Sequence, residues 1–325
     1  MKNLPIAILF FLSLFIILVS PFLGANCISP FDIFSSNPDI DILWKLRLPR
    51  VIGAYLTGAG LAVSGMVFQA MFRNPLATPF TLGISSGAAL GSALYVYFGI
   101  SFSLISLIGG MLSSLLGSFF SMLIVYMITR AKGGFSTSVM LLAGVIISFT
   151  FSSIILFIQY LGNVQDAMRI MHWLMGSLAG VGYIQVVDLT FIVLSCSILL
   201  YYLTTEMDLF LAGEEFAASR GVNINKSKIL FFIYASIMVG IIVSITGPIG
   251  FIGMMVPHIT RMLFGYKHGL LLPTTFMLGG MFLVLCDLFS RTIFFPAELP
   301  IGIVTAMLGG PFFLWILFKR IKFLY

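Results

Sequence analysis

The 325-residue chain has 17 Lys and Arg and 11 Asp and Glu, so charged residues make up 9% of it, while hydrophobic residues make up 60%. Soluble domains usually hold about 25% charged residues, and a soluble domain of this length could not bury so much apolar surface. The composition therefore excludes an ordinary soluble domain and indicates that lipid is the main solvent. The net charge of +6 is weak evidence for nucleic-acid binding, because Lys and Arg collect in the cytoplasmic loops of membrane proteins.

Charges punctuate the chain and divide it into ten apolar spans, each near the roughly 20 residues that a membrane helix needs. The spans are about 4–24, 51–72, 80–99, 103–128, 137–160, 184–205, 229–246, 250–264, 270–292 and 301–319. The stretch without Lys, Arg, Asp or Glu between Lys228 and Arg261 is short for two full crossings. The sequence GPIG at Gly247–Gly250 nevertheless breaks a single helix there. We therefore predict an all-α integral membrane protein, a bundle of about ten transmembrane helices.

No feature of the sequence divides this bundle into separate domains. The apolar run after Lys2 could be mistaken for a signal peptide, but no small-x-small cleavage site follows directly. We interpret it as the first retained helix. No linker rich in proline, glutamine or charge interrupts the chain, so we expect one transmembrane domain over residues 1–325.

The basic residues predict the orientation of the bundle. Ten spans place both termini on one side, and an excess of Lys and Arg marks the cytoplasmic side. With the termini inside, twelve of the 17 basic residues are cytoplasmic. The outer ones are Lys45, Arg47, Arg50, Arg169 and Arg291. We therefore expect cytoplasmic N- and C-termini in a multi-pass protein of the cell membrane.

The segment Thr204–Lys228 is unusual in so apolar a chain, because it holds seven of the charged residues. In the predicted orientation it is a cytoplasmic loop between spans six and seven. The sequence GEEFAASRG within it predicts a short helix, since Glu214 and Glu215 fall in the first turn and Arg220 in the last. The closing glycine suits a left-handed helix stop. A helix so short is not stable alone in water, so it is either part of a solvated loop or a docking helix for a cytoplasmic partner.

Motifs of enzyme chemistry are weak. The sequence GISSG at Gly83–Gly87 fits the G-x-S-x-G pattern, but that pattern needs a strand–turn–helix context and a partnered histidine. Here it opens an apolar span. The chain has neither an H-E-x-x-H motif nor a G-x-x-x-x-G-K-[ST] phosphate loop. The cysteines Cys27, Cys196 and Cys286 are far apart and include no C-x-x-C pair. We therefore predict no catalytic, cofactor-binding or metal-binding residues, and any ATP that is used binds to another chain.

Ionisable residues inside the spans are few, and such residues are functional candidates. Asp287 and Arg291 are four residues apart near the outer end of span nine, so they can face each other on one helix turn. A structural ion pair at the membrane interface is the simpler interpretation. The spans contain no ladder of Asp, Glu or His, which counts against a transporter driven by protons or sodium ions.

Several long motifs, in a fixed order, give the chain a family resemblance. They are LRLPRVIGAYLTGAGLAVSGMVFQAMFRNPLATPFTLGISSGAALG (Leu46–Gly91), STSVMLLAGV (Ser136–Val145), WLMGSLAG (Trp173–Gly180), GEEFAASRGV (Gly213–Val222), GPIGFIGMMVPHITR (Gly247–Arg261) and ELPIGIVTAMLGGPFFLWIL (Glu298–Leu317). Together they resemble the permease subunits of type II ABC importers, the family of the vitamin B12, iron–siderophore and haem permeases. The resemblance implies ten helices, a second permease subunit, two cytoplasmic ATPase subunits and an extracytoplasmic binding protein.

The resemblance also implies three sets of functional residues. The loop at about 206–228 matches the ATPase coupling loop, with Gly213, Glu214, Glu215, Ala217, Ala218, Arg220 and Gly221 as coupling residues. The arginines that match the docking site for the binding protein are Arg47, Arg50 and Arg291, and a guanidinium can hold a carboxylate bidentately. The residues that match the translocation gate are Asn74, Pro75, Leu76, Thr137 and Ser138. The simpler alternatives are that the arginines only anchor lipid head groups and that Asn74–Pro75 is only a turn.

The function expected from the resemblance is that of a permease subunit in an ATP-driven importer of iron–siderophore complexes. The second permease is either the same chain or a paralogue. An importer of the same type carrying vitamin B12 or haem is the alternative, and a secondary transporter or channel without ATPase is a distant one. We also expect Arg47 and Arg50 to lie too near the surface to be buried charges, where Asp39 and Asp41 could neutralise them.

Overall fold

A computed structural model describes residues 4–24, 29, 39–99, 106–131, 136–294 and 297–321. The α-helices are α1 (Leu4–Val19), α2 (Asp39–Ile42), α3 (Leu48–Phe72), α4 (Ile84–Phe98), α5 (Ser106–Ala131), α6 (Thr137–Leu161), α7 (Val164–Leu174), α8 (Tyr183–Tyr202), α9 (Thr204–Ala212), α10 (Glu214–Ser219), α11 (Ile224–Thr246), α12 (Ile252–Phe264), α13 (His268–Thr292) and α14 (Ile301–Ile321). These ranges contain no β-strand. The all-α prediction is therefore confirmed.

Each of the ten predicted spans overlaps one helix. Six helices are long and apolar enough to cross a membrane by length and composition, and α1, α4 and α14 contain shorter apolar stretches. The remaining span, the eighth, overlaps α12, which has only 13 residues and follows the predicted break after α11. Span two begins earlier than predicted, because a π-helical turn at Leu43–Arg47 leads directly into α3. The chain is thus an all-α integral membrane protein.

Helix α3 lies at the centre of the bundle. The most apolar 18-residue stretch of the helical segment Leu43–Phe72 is 89% buried inside the chain. The neighbours of α3 include α8, α11, α12 and α13. A Cβ atom built at Gly58 would lie 2.3 Å from the carbonyl oxygen of Gly279, and one at Gly65 would lie 1.8 Å from that of Gly253. The backbones therefore touch directly, as small residues allow in membrane bundles.

A second close pair is formed by α4 and α5. A Cβ atom at Gly87 would lie 2.4 Å from the carbonyl oxygen of Gly117, and one at Gly91 would lie 2.0 Å from that of Ser113. Helix α4 starts after Gly83, whose φ of +78° is left-handed. The GISSG sequence is therefore the start of a packed helix, without the preceding strand that a nucleophile turn requires.

Two short helices were not predicted from the sequence. Helix α7 begins after Asn163, whose side chain accepts a hydrogen bond of 2.8 Å from the backbone N–H of Asp166. Because asparagine is a preferred N-cap residue, the sequence contained a signal for the start of this helix. Helix α9 follows α8 after Leu203 alone and ends at Gly213, where φ is +122°. Span six therefore ends at Tyr202, and the charged segment after it contains two helices rather than one.

The contact between α3 and α12 predicts a sharp difference between two glycines. Replacing Gly65 by alanine places a methyl group on the backbone of α12, and overpacking of this kind costs about 1–3 kcal/mol. The matched control is Gly269→Ala in the first turn of α13, where a Cβ atom meets nothing within 4 Å. Thermal unfolding in detergent should show a lower Tm for Gly65→Ala and an unchanged or higher Tm for Gly269→Ala. Equal values would contradict the close contact.

Candidate functional site

Charged and amide side chains that pack in the bundle core near α3 lie at its two ends. Arg50 lies near its first turn and Gln69 near its last turn. The residues between them span about 29 Å at 1.5 Å per residue. This distance matches the roughly 30 Å of the hydrocarbon core of a bilayer. The two groups therefore lie near opposite faces of the membrane, and each is the centre of a polar cluster.

The first cluster consists of Arg50, Asp287, Arg291 and Glu298. We call it the outer cluster, and the opposite end of α3 the inner end, because the basic residues of the sequence predict this orientation. Arg50 donates hydrogen bonds of 2.9 Å from Nε to Asp287 Oδ1 and of 2.9 Å from Nη1 to Glu298 Oε2. Arg291 Nε lies 3.4 Å from Asp287 Oδ2, as the spacing of four residues predicts. The Asp287 side chain is only 1% exposed. Since an unpaired buried charge is costly, each charged group here depends on the others.

The expectation that Arg50 lies near the surface is wrong. Its side chain is only 14% exposed, because α3 begins before it and places it against α13. Its carboxylate partners among the described side chains are Asp287 and Glu298, from distant parts of the chain. The predicted partner Asp39 lies outside the described side chains. Asp41 instead pairs with Lys45 at 3.0 Å on the exposed surface.

The other two predicted docking arginines lie against the end of α1. Arg47 is half-buried and donates a hydrogen bond of 3.3 Å to the carbonyl oxygen of Pro21. Arg291 is buried and donates to the carbonyl oxygen of Ser20 at 3.1 Å and to its hydroxyl at 3.2 Å. Arg50 and Arg291 therefore share Asp287, whereas Arg47 makes its hydrogen bond to the backbone after α1.

The predicted coupling residues form α10 and its two flanking glycines. Gly213 and Gly221 have φ values of +122° and +86°, which favour glycine and mark the turns at each end. Ala217 is fully buried, while Glu215, Ala218 and Arg220 are exposed. The predicted short helix is thus present, with Arg220 just past its last turn.

An ion pair holds α10 against the start of α11. Lys228 Nζ donates a hydrogen bond of 2.7 Å to Glu214 Oε2, and the lysine side chain is only 3% exposed. Glu215, next in sequence, points to solvent instead. The exposed face also includes Phe216, whose ring has the Arg220 guanidinium 5.3 Å from its centroid. Glu214 therefore stabilises the coupling segment from within, and Glu215 belongs to its outer surface.

The predicted gate residues lie in two segments at the same end of the bundle. Asn74 Oδ1 accepts a hydrogen bond of 2.9 Å from the backbone N–H of Leu76, so the turn after α3 closes on itself. Leu76 is exposed and lines a cavity of about 320 Å³ with Phe251 and Met254 from the start of α12. Thr137 and Ser138 begin α6. In the described ranges no hydrogen bond joins these two residues to the turn at Asn74–Leu76.

A polar network at the inner end was not predicted from the sequence. Gln69 donates from Nε2 to the carbonyl oxygens of Gly253 and Met254, at 3.2 Å each, and its Oε1 accepts from Arg261. This network joins α3 to both ends of α12. The signal was present, since Gln69 is a lone amide in the apolar sequence of α3.

The second inner contact joins α9 to α13. Asp208 Oδ1 accepts from the backbone N–H of His268 at 2.8 Å and lies 2.7 Å from the Nδ1 atom of the same residue. Asp208 therefore acts as a cap for α13 that is supplied by another helix. Since Asp208 and His268 are far apart in sequence, spacing could not indicate this contact.

The sequence model of the FecCD transport family matches residues 9–319. The chain belongs to this family. It is 34% identical over 323 residues to the hemin transport system permease protein HmuU of Yersinia pestis, a match that covers 98% of this chain and 96% of that protein. It is 35% identical over 305 residues to the vitamin B12 import system permease protein BtuC of Klebsiella pneumoniae, which covers 93% and 90% of the two chains.

A solved structure has the same fold. It is described as an inward-facing conformation of a metal-chelate type ABC transporter, with a TM-score of 0.86 and 32% identity over 96% of this chain and 99% of that one. The chain is therefore a membrane-embedded permease subunit of a type II ABC importer. In importers of this kind the ATPase is a separate subunit.

The outer cluster predicts unequal effects for two aspartates. Asp287→Asn removes the shared counter-charge of Arg50 and Arg291, and breaking a buried ion pair costs about 3–5 kcal/mol. The control is Asp41→Asn, which removes a surface pair whose side chains are 72% and 71% exposed; such pairs contribute about 0–1 kcal/mol. Thermal unfolding in detergent should show a large loss of Tm only for Asp287→Asn. A similarly small loss in both variants would show that the outer cluster is not structural.

Proposed function

We propose that this permease imports iron–siderophore complexes, with a second permease subunit, two cytoplasmic ATPase subunits and an extracytoplasmic binding protein. The second permease is either the same chain or a paralogue. The observation that carries the proposal is the placement of an arginine-rich cluster and an exposed short helix at opposite ends of α3. One end suits a partner with carboxylates, and the other suits a water-soluble partner in the cytoplasm.

The coupling role is supported by the contacts of α9 and α10 with the bundle. Glu214 connects α10 to α11 through Lys228, and Asp208 connects α9 to α13 through His268. A displacement of α10 therefore acts on two long helices through charged contacts. ATP binding and hydrolysis can drive transport only if the ATPase binds the outward and inward states differently. We assign this difference in ATPase binding between the two states to the contacts that α9 and α10 make with the bundle.

The docking role is assigned to Arg47, Arg50 and Arg291, with different parts for each. Arg47 is half-buried and donates a hydrogen bond to the carbonyl oxygen of Pro21, so it would add positive charge at the edge of the docking surface. Arg50 is held by Asp287 and by the half-exposed Glu298, so a carboxylate of the binding protein would have to compete with Glu298. Arg291 is buried and would stabilise the docking surface through its contacts with Asp287 and Ser20.

The gate role is assigned to Asn74, Pro75, Leu76, Thr137 and Ser138. The turn at Asn74–Leu76 follows the central helix directly, so a movement of α3 reaches it without an intervening loop. Leu76 is exposed next to the start of α12. Closure would bring such apolar and small polar groups of the two permeases together.

Three observations bear on the cargo and on the transport class. The solved relative is described as a metal-chelate type transporter, which supports an iron–siderophore complex. The relatives named for hemin and vitamin B12 support those two cargoes as alternatives. In the part of the chain that the structure describes, Asp287 is the one buried carboxylate, and two arginines neutralise it. This argues against a secondary transporter with coupling carboxylates.

Reconstitution tests the cargo. The permease, reconstituted with its partner ATPase and binding protein, is placed in liposomes and supplied with radioactive ferric siderophore, cyanocobalamin or hemin. The proposal expects ATP-dependent uptake of the ferric siderophore and little uptake of the other two. Uptake of cyanocobalamin or hemin instead would show that this compound, and not a ferric siderophore, is the cargo. Uptake without ATPase would overturn the importer mechanism itself.

The surface of α10 predicts separable effects of its two glutamates. Glu215→Lys places an opposite charge on the exposed face, and a like-charge contact at a desolvated interface costs several kcal/mol. ATPase co-purification and uptake should fall by about tenfold or more, while expression and Tm stay unchanged. Glu214→Lys should instead lower Tm, because it faces the buried Lys228.

The control for the coupling prediction is Asp41→Lys, an exposed charge reversal near the other end of α3. It should change neither co-purification nor uptake. Normal uptake by Glu215→Lys at normal expression would remove α10 from the coupling mechanism.

A further inference from the structure

A basic cavity of about 330 Å³ opens at the inner end of the bundle. We call it the inner basic pocket. It lies between the turn after α3, the end of α9 and the segment from α12 to the start of α13. Its lining includes the guanidinium groups of Arg73 and Arg261 and the imidazoles of His258 and His268, and no carboxylate. The pocket lies outside the outer cluster. Asn74 and Pro75 of the proposed gate also line it, but its two arginines are none of the coupling, docking or gate residues discussed above.

The two arginines of the pocket form no ion pair with a described carboxylate. Arg261 donates to the amide oxygen of Gln69, which is a neutral acceptor. Across the described ranges, no Asp or Glu oxygen lies within 4 Å of the guanidinium of Arg261 or Arg73. The carboxylate of Asp208 is already used by His268. Since a partly buried cation is costly without a counter-charge, the pocket suits an anionic group.

Arg73 occupies a backbone position that favours glycine. It follows the last residue of α3 with a φ of +48° and a ψ of +35°, the left-handed conformation in which helices commonly end on glycine. An arginine in this conformation carries a conformational cost that glycine would avoid. Its side chain is exposed, and Nη1 would lie 3.8 Å from a Cβ atom at Gly213. The charge of Arg73 therefore lies beside the junction of α9 and α10.

The rim of the pocket resembles the centre of a protein interface. Leu211, Met262 and Tyr266 are exposed around the two arginines. Aromatic residues, methionine and arginine are enriched at protein–protein interfaces, and arginine binds carboxylates bidentately. The rim is formed by the last turns of α9 and α12 and by the segment before α13, rather than by the outer face of a long apolar helix. A protein partner in the cytoplasm therefore fits this surface better than a lipid head group does.

We propose that the inner basic pocket receives an Asp or Glu side chain of the cytoplasmic ATPase subunit, beside the contact made by α10. This inference rests on the proposed function and deepens it. Docking then has two adjacent parts, an exposed helix and a pocket for a carboxylate. Because the turn at Asn74–Leu76 directly follows Arg73, occupation of the pocket also places the ATPase next to the proposed gate.

Arg73→Gly is the decisive variant, because glycine suits the backbone at this position and removes only the charged side chain. The permease is placed in nanodiscs of phosphatidylcholine and phosphatidylglycerol, and binding of the purified ATPase is measured at low and high salt. Arg73→Gly should keep or raise Tm and raise the Kd by about tenfold or more, as expected for loss of a desolvated charge pair. Its binding should also depend less on salt.

Two further variants complete the comparison. Arg73→Lys keeps the charge and should recover part of the affinity. Arg130→Gln changes an exposed arginine at the end of α5 and should bind the ATPase as the wild type does. This control distinguishes a local contact from a general effect of net charge on the cytoplasmic face.

The outcomes separate this inference from the proposed function. If the wild type binds the ATPase and Arg73→Gly binds it equally well, the pocket proposal is overturned and the importer function stands. Equal binding together with loss of phosphatidylglycerol that co-purifies with the wild type, measured by native mass spectrometry, would assign the pocket to a lipid head group and would also overturn the proposal. If the wild type binds no ATPase, both the proposed function and the pocket proposal fail.

Discussion

Direct backbone contact between α3 and its neighbours is the constraint on which the rest of the structure depends. Gly58 and Gly65 admit the backbones of α13 and α12 at distances that a single methyl group would fill. Lipid tails are as apolar as the helix surfaces, so close packing of small residues, more than the hydrophobic effect, drives helix association in a membrane. A central helix packed in this way has one position relative to α12 and α13, and the groups at its two ends are fixed with it.

The same constraint explains where the charges lie. A charged group is costly at membrane depth, and the ion pairs that involve α3 and α13 in the described residues lie near the ends of these helices. At the outer end, Arg50 of α3 and Arg291 of α13 share Asp287. At the inner end, Gln69 of α3 binds α12, and Asp208 caps α13. Helices α3 and α13 are thereby fixed to each other at one end, and to α12 and α9 respectively at the other end. We infer that a force applied to α9 or α10 reaches the outer surface through this pair.

The sequence predicted most of the fold because lipid leaves few choices. Apolar length and the positions of charges located most of the helices that overlap the ten predicted spans. The GPIG break and the family resemblance separated the seventh span from the eighth, and the charges and glycines of GEEFAASRG predicted α10. The errors arose where tertiary contacts decide the structure. The depth of Arg50 depends on Asp287 and Glu298 from the other end of the chain, which no local pattern contains. The contact between Asp208 and His268 is equally non-local. Helix α9 follows α8 after one residue, so composition did not separate it from the span.

The central claim is that the outer cluster and α10 face opposite sides of the membrane, and sidedness tests it most directly. Cysteines are introduced singly at Lys45 and Ser219, both exposed, in a chain whose Cys27, Cys196 and Cys286 are alanine. Sealed right-side-out vesicles are then treated with a membrane-impermeant maleimide. The account predicts labelling of Lys45→Cys in sealed vesicles and of Ser219→Cys only after permeabilisation. Labelling of both from one side, or the reverse order, would contradict it.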